Sequence, residues 1–141
     1  AMAFGTDIKE THSACQKLET GVDAQENITL FYNDGKMAAL QATAFSVTDR
    51  YGVISGDNGY LMVENINNPE CIKVFDKSYK MIAEYKAPEQ ITGFEYQVMA
   101  SIEAIENGWL ESPFMPHKET VRIMEQMDAL RKEWGVVYPW D

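Results

Sequence analysis

Strands first and helices afterwards: that order predicts an α+β domain, in which a largely antiparallel open β-sheet of about six strands has helices packed on one face. Three observations carry the prediction. From residue 8 to residue 85 the chain runs through short apolar stretches broken by turn signals, Asp34-Gly35 and the Gly56-Asp57-Asn58-Gly59 tetrad among them. The connections are too short for parallel crossovers, so neighbouring strands pair antiparallel. Only after Gly93 does the apolar spacing change from two to between three and four.

The elements follow in order. Ala1 to Gly5 is small, apolar and ends on glycine, as the tail of a helix would. Residues 8–18 form a candidate strand with poor alternation. Residues 26–32 alternate well, with Ile28, Leu30 and Tyr32 on one side and Thr29 and Phe31 on the other. Residues 37–47 return after the Asp-Gly turn. Their small face, Ala38, Leu40, Ala42 and Ala44, predicts packing against a helix. Residues 51–55 and 60–66 flank the glycine tetrad, and residues 71–75 and 79–85 flank Asp76-Lys77-Ser78.

Two helices complete the pattern. Phe94, Val98, Ile102 and Ile105 mark the first, which Gly108 stops. Ile123, Met127, Leu130 and Trp134 mark the second, with Val121 and Met124 widening the stripe and Gly135 ending it. Met124 and Met127 are expected as core fillers. The tail from Val136 to Trp140 is apolar enough to be expected on the fold rather than in water.

Composition bounds the function. At 141 residues, with 45% hydrophobic and 24% charged residues, one soluble domain is the expectation. A net charge of −10 argues against nucleic acid and against anionic lipid as partners. No apolar run has the length of a membrane span. Cys15 and Cys71 are far apart and form no CxxC, so buried reduced thiols and a cytoplasmic setting are expected. A residue preceding Met2 suggests a scar, and hence an N-terminally truncated chain.

The motifs that carry chemistry are missing. There is no GxGxxG and no phosphate-cradling GxxxxGK[ST]. His12 and His117 are too few for a metal cluster without acidic residues at ligand spacing. Glu111 reads as a loop acid, Asp128 as a surface carboxylate, and His117 as a helix-start residue with no partner base or nucleophile adjacent to it. No catalytic, cofactor-binding or metal-binding residue is assigned. The two-sided apolarity of the strands leaves one sheet face without a cover. Phe45, Leu61 and Val63 are assigned to that face as an oligomer interface.

The run from Gly93 to Pro139 contains Gly93-Phe94-Glu95-Tyr96, the loop LESPFMPHKET at 110–120 and the finish MDALRKEWGVVYP at 127–139. With the segments ETGVDAQENITLFYNDGKMAAL at 19–40 and GVISGDNGYLMVEN at 52–65, it resembles the C-terminal part of the Gfo/Idh/MocA oxidoreductases. The resemblance implies a parent enzyme with an N-terminal Rossmann domain that binds NAD or NADP and carries a catalytic Glu-Lys-Pro lysine. The present chain, 1–141, would be a single C-terminal domain serving substrate binding and homo-oligomerisation, for a sugar, polyol or related hydroxyl compound. The family's Asp-x-Gly-x-His pattern is not matched around His12, so no catalytic residue carries over, and the chain alone is expected to bind no cofactor. The alternative is a free-standing, non-catalytic dimerisation or ligand-binding module.

Overall fold

The computed structural model describes residues 3–139. Seven strands precede two helices: β1 (Ile8–Lys17), β2 (Asp23–Tyr32), β3 (Met37–Thr43), β4 (Gly52–Gly56), β5 (Gly59–Glu64), β6 (Cys71–Asp76), β7 (Met81–Lys86), α1 (Glu95–Glu106) and α2 (His117–Trp134). The α+β class is as the sequence predicts, and every strand pair is antiparallel. The strands divide into two sheets, one of order β1-β2-β3 and one of order β4-β5-β6-β7. The chain divides correspondingly: one unit holds residues 3–47 and 117–139, the other Thr48–Pro116.

In the first unit, β2 is the central strand. Its even positions Ala24, Leu30 and Tyr32 are buried, and the register sets Leu30 opposite Thr11 and Ala38. Helix α2 packs against β1 on that face, through Trp134, whose indole Nε1 donates to Ser13 Oγ at 2.8 Å. The helix ends as its glycine predicts. Gly135 has φ +64, its N–H donates to Lys132 O at 3.3 Å, and the Val136 N–H donates to Arg131 O at 2.9 Å. This pair of bonds satisfies two otherwise orphaned carbonyls and folds Val136 back into the core, where it is 3% exposed. The carbonyls of Trp134 and Gly135 accept from Lys17 Nζ at 3.0 and 3.1 Å. A cation at the negative end of the helix dipole is the favourable arrangement. Arg131 lies 4.6 Å over the Tyr138 ring, which ties the tail back to the helix.

Four expectations need correction here. Met124 and Met127 are not core fillers; both are about half exposed, at 50% and 52%. The sheet-facing line of α2 runs instead through Ile123, Gln126, Leu130 and Trp134, with Arg122 alongside, pairing Glu119 at 2.6 Å. Long polar side chains cover apolar surface with their stems, so this line contains Gln126 and Arg122 where an apolar count favours methionine. The small face of β3 meets no helix, because α2 is anchored on β1; Leu40 is half exposed. Residues 3–4 form a turn rather than a helix tail, and Ala1 and Met2 lie outside the described residues. Of the apolar tail, Val136 is buried but Val137 is exposed, and Trp140 lies outside the described residues.

The second unit is a meander joined by tight turns. At the β4–β5 turn Gly59 has φ +149, and a Cβ there would stand 2.0 Å from Phe75 O, so only glycine fits. Helix α1 has one buried residue, Ala104. The stripe Phe94, Val98, Ile102 and Ile105 is therefore helical, as the spacing predicts, yet exposed throughout.

Candidate functional site

The most distinctive surface of the second unit is one face of its sheet. Alternate residues of a strand share a face, and the register fixes which rows join. Leu61 lies opposite Ile54 and Val74, and Val63 opposite Gly52 and Ile72; Ile72 in turn faces Tyr85. Every side chain in this row is apolar, and none is buried. Gly52 has a role here, since a Cβ on it would sit 2.6 Å from Ile66 Cδ1, the side chain that folds over this end of the face. The opposite face is mixed. Tyr60 stacks on Phe75 with centroids 4.7 Å apart, Lys73 Nζ pairs with Glu64 Oε1 at 2.6 Å, and the Cys71 thiol donates to Glu84 Oε1 at 3.3 Å.

Leu61 and Val63 therefore share one continuous apolar face. Phe45 belongs to the other unit, beyond the end of β3, where its N–H donates to Thr43 Oγ1 at 3.1 Å and its side chain is half exposed. On that unit's sheet, the face turned away from α2 is mixed, with Gln16, Gln25, Asn27, Gln41 and Thr43 toward one end and Phe31, Met37 and Ala39 toward the other.

A second local construction gives the Gly93-Phe94-Glu95-Tyr96 motif its physical meaning. Helix α1 has no side-chain cap at Phe94. The carboxylate of Glu95 serves instead: Oε1 accepts from the N–H groups of Ile91 at 2.8 Å and Thr92 at 2.7 Å, and Oε2 from the Gly93 N–H at 2.9 Å. Hydrogen bonds from its own backbone N–H, then from Thr92 and Ile91, hold this carboxyl down at about 2. Gly93 has φ +85, and a Cβ on it would meet Asn68 Oδ1 at 2.8 Å. Tyr96 completes the anchor by donating to Glu89 O at 3.1 Å. Glycine, glutamate and tyrosine at these positions therefore fix the entry to α1. The sequence signals were the resemblance motif and a Glu in the first helical turn; the turn of chain around the carboxylate could not be read from spacing.

Asp128 pairs with Arg131 at 3.1 Å on the helix surface, and His117 is the first residue of α2. Glu111 is exposed, in the loop between the helices. His12 Nε2 meets Glu10 Oε1 at 2.7 Å at an exposed position. Burial pushes both thiols, Cys15 and Cys71, above the ordinary range, which disfavours the nucleophilic thiolate. Burial, then the neighbouring Asp23, raises the Glu26 carboxyl. Among the described residues no group of three or more His, Cys, Asp and Glu could hold a metal ion, and no helix is long and apolar enough to cross a membrane.

No protein-family model matches the chain. Individual relatives do. The chain is 25% identical over 124 residues to scyllo-inositol 2-dehydrogenase (NADP(+)) IolU of Bacillus subtilis, covering 88% of this chain and 37% of that protein. It is 24% identical to mouse trans-1,2-dihydrobenzene-1,2-diol dehydrogenase, covering all of this chain and 44% of the enzyme. The fold is similar, with a TM-score of 0.68 at 16% identity, to the crystal structure of aldose-aldose oxidoreductase from Caulobacter crescentus complexed with glycerol; 86% of this chain and 37% of that one superimpose. The chain thus spans less than half the length of these three proteins.

Proposed function

Because its relatives are Gfo/Idh/MocA-type oxidoreductases that it matches over most of its own length, we propose that the chain is the C-terminal substrate and oligomerisation domain of an NAD(P)-dependent oxidoreductase. The substrate class is a sugar, a polyol or a related hydroxyl compound. The observation that carries this reading is the pair of coverages: 88% and 100% of this chain against 37% and 44% of two dehydrogenases. A domain of this kind is the shared part, and a dinucleotide-binding Rossmann domain is the partner that completes the enzyme. The two free thiols favour a cytoplasmic setting.

In this reading the chemistry is divided between domains. Hydride transfer needs a nicotinamide held against the substrate carbon and a group that takes the hydroxyl proton. The dinucleotide requires a glycine-rich turn at a helix start, which the 141 residues lack. What the chain contributes is surface. The face built on Leu61 and Val63 is suited to a second copy, because a contiguous apolar sheet face is stable in water only when covered. Phe45, on the other unit, is the third residue assigned to the oligomer contact.

Two measurements test this. Calorimetry with NADH and NADPH on the 141-residue chain is expected to show no saturable binding at millimolar ligand, and fusion to the parent's upstream segment is expected to restore it. Saturable NADPH binding by the chain alone would overturn the division of labour. Sedimentation velocity should report a dimer or larger species that Leu61→Lys with Val63→Lys dissociates; a monomer at micromolar concentration would remove the oligomer role.

A further inference from the structure

We propose that α1 and the loop that follows it form a docking groove for an amphipathic helix with a cationic flank, supplied by a different polypeptide segment. The proposal goes beyond the dehydrogenase reading and does not depend on it. The groove lies within the second unit, between α1 and residues 112–115, with a volume of about 950 Å³. Its walls are largely apolar: Tyr96, Met99, Ala100 and Ile102 from the helix, Phe114 and Met115 from the loop. These side chains are open to water; Met99 is 63% exposed and Phe114 69%. A helix whose apolar stripe Phe94, Val98, Ile102 and Ile105 is exposed and that presents such a wall lacks a cover on that side.

Charge specifies the partner. Between Glu89 and Pro116 there are five glutamates and no lysine, arginine or histidine. Glu95 is consumed by the turn it closes, but Glu103 and Glu106 line the groove itself. Both stand near the C-terminal end of α1, where the helix dipole is already negative and where cations are the stabilising residues. The last turn of α1 contains none. By contrast, α2 ends on Arg131 and Lys132 and receives Lys17 on its final carbonyls. The cation missing from α1 is thus the group that an occupant has to bring. A two-fold contact with a second copy of the same groove would set Glu103 and Glu106 against their own equivalents, and like charges across an interface are repulsive. An apolar helical face fits the walls, and lysine or arginine on its flank meets the rim.

The probe is a 14-residue peptide of leucine and lysine placed at helical spacing, with a scrambled peptide of the same composition as control. Calorimetry against the 141-residue chain is expected to give saturable one-to-one binding of the helical peptide, at least tenfold tighter than the scrambled one. Met99→Gln with Ile102→Gln, which removes apolar wall without adding charge, should weaken it at least tenfold while leaving the circular dichroism unchanged, since neither side chain is buried. Glu103→Lys with Glu106→Lys, both on the surface, should weaken it comparably and flatten its salt dependence. Equal binding of both peptides would reveal nonspecific attraction to an acidic protein and overturn the proposal. So would absence of binding, or indifference to both double variants. Self-association of the chain that Met99→Gln with Ile102→Gln abolishes would assign the groove to a second copy instead.

Discussion

Trp134 is the residue on which the docking of α2 turns, and its replacement tests the packing of the first unit directly. Its indole is partly buried against β1 and donates a 2.8 Å bond to Ser13 Oγ. A packed tryptophan buries about 150–250 Å². With roughly half of that removed from water here, about 100 Å² at ~25 cal/mol per Å² amounts to ~2.5 kcal/mol. The hydrogen bond adds about 1 kcal/mol. Trp134→Ala should therefore destabilise by about 3.5 kcal/mol, within the range for emptying a large aromatic site. Urea unfolding followed by circular dichroism at the helix band measures it without depending on indole fluorescence. Trp134→Phe keeps most of the area and should cost only about 1 kcal/mol, as should Ser13→Ala. The two changes together should cost less than their sum, because they remove the same bond. A loss below about 0.5 kcal/mol for Trp134→Ala, the scale of an ordinary surface substitution, would show that α2 does not hold to β1 through this side chain. Strict additivity of the two small changes would show that the hydrogen bond contributes nothing.

Two further outcomes follow from local geometry. Gly59→Ala forces a Cβ against Phe75 O and should destabilise the second unit by well over the ~1 kcal/mol of an average substitution, whereas Gly56→Ala, whose Cβ would meet only Gly59 O at 3.7 Å, should stay near or below it; comparative urea unfolding separates them. The Glu95 carboxyl is depressed to about 2, so its contribution is fully present above its ordinary value of 4.5 and is lost as pH falls through about 2. The amide proton shifts of Ile91, Thr92 and Gly93 should titrate together with that low midpoint, and a midpoint near 4.5 would show that the carboxylate is not held by them.

The strands were legible because their signals are local. Asp34-Gly35 and the glycine tetrad at 56–59 mark turns whatever the rest of the chain does, and each returned as a hairpin. The end of α2 was equally legible, since Gly135 is the residue a left-handed helix exit requires. The interior of α2 was not. Period alone cannot say which of two adjacent lines faces the sheet, and Arg122 and Gln126 took the place expected of Met124 and Met127 because their stems pack while their heads remain paired. The grouping of strands into two sheets was also out of reach, because it depends on where β3 stops pairing, and nothing in residues 44–51 marks that point. Of the assigned interface residues, Leu61 and Val63 share a face because strand alternation is obligatory; Phe45 lies past a strand end, where alternation no longer governs.

The two units also differ in what holds them, and that difference can be measured. In the first, Ala24, Leu30, Tyr32, Leu130 and Val136 are buried, so the central strand β2 sits on a core closed by α2. In the second, only Cys71 and Ala104 are buried, and the meander is ordered by its ladders and turns. Opening a segment costs free energy in proportion to the apolar contacts it breaks, and hydrogen bonds exposed to water contribute little by themselves. Backbone amides of β2 should therefore exchange with solvent more slowly than those of β5 and β6, although all three are central strands of antiparallel sheets. If the apolar face of Leu61 and Val63 is covered by a second copy, protection in β5 should climb with protein concentration, because anything that binds only the folded form stabilises it by mass action. Protection in β2 should stay level over the same range. Dilute protein in which β5 exchanges as slowly as β2 would refute the argument, since it would mean that a strand with neither face buried is held as firmly as one with a core beneath it.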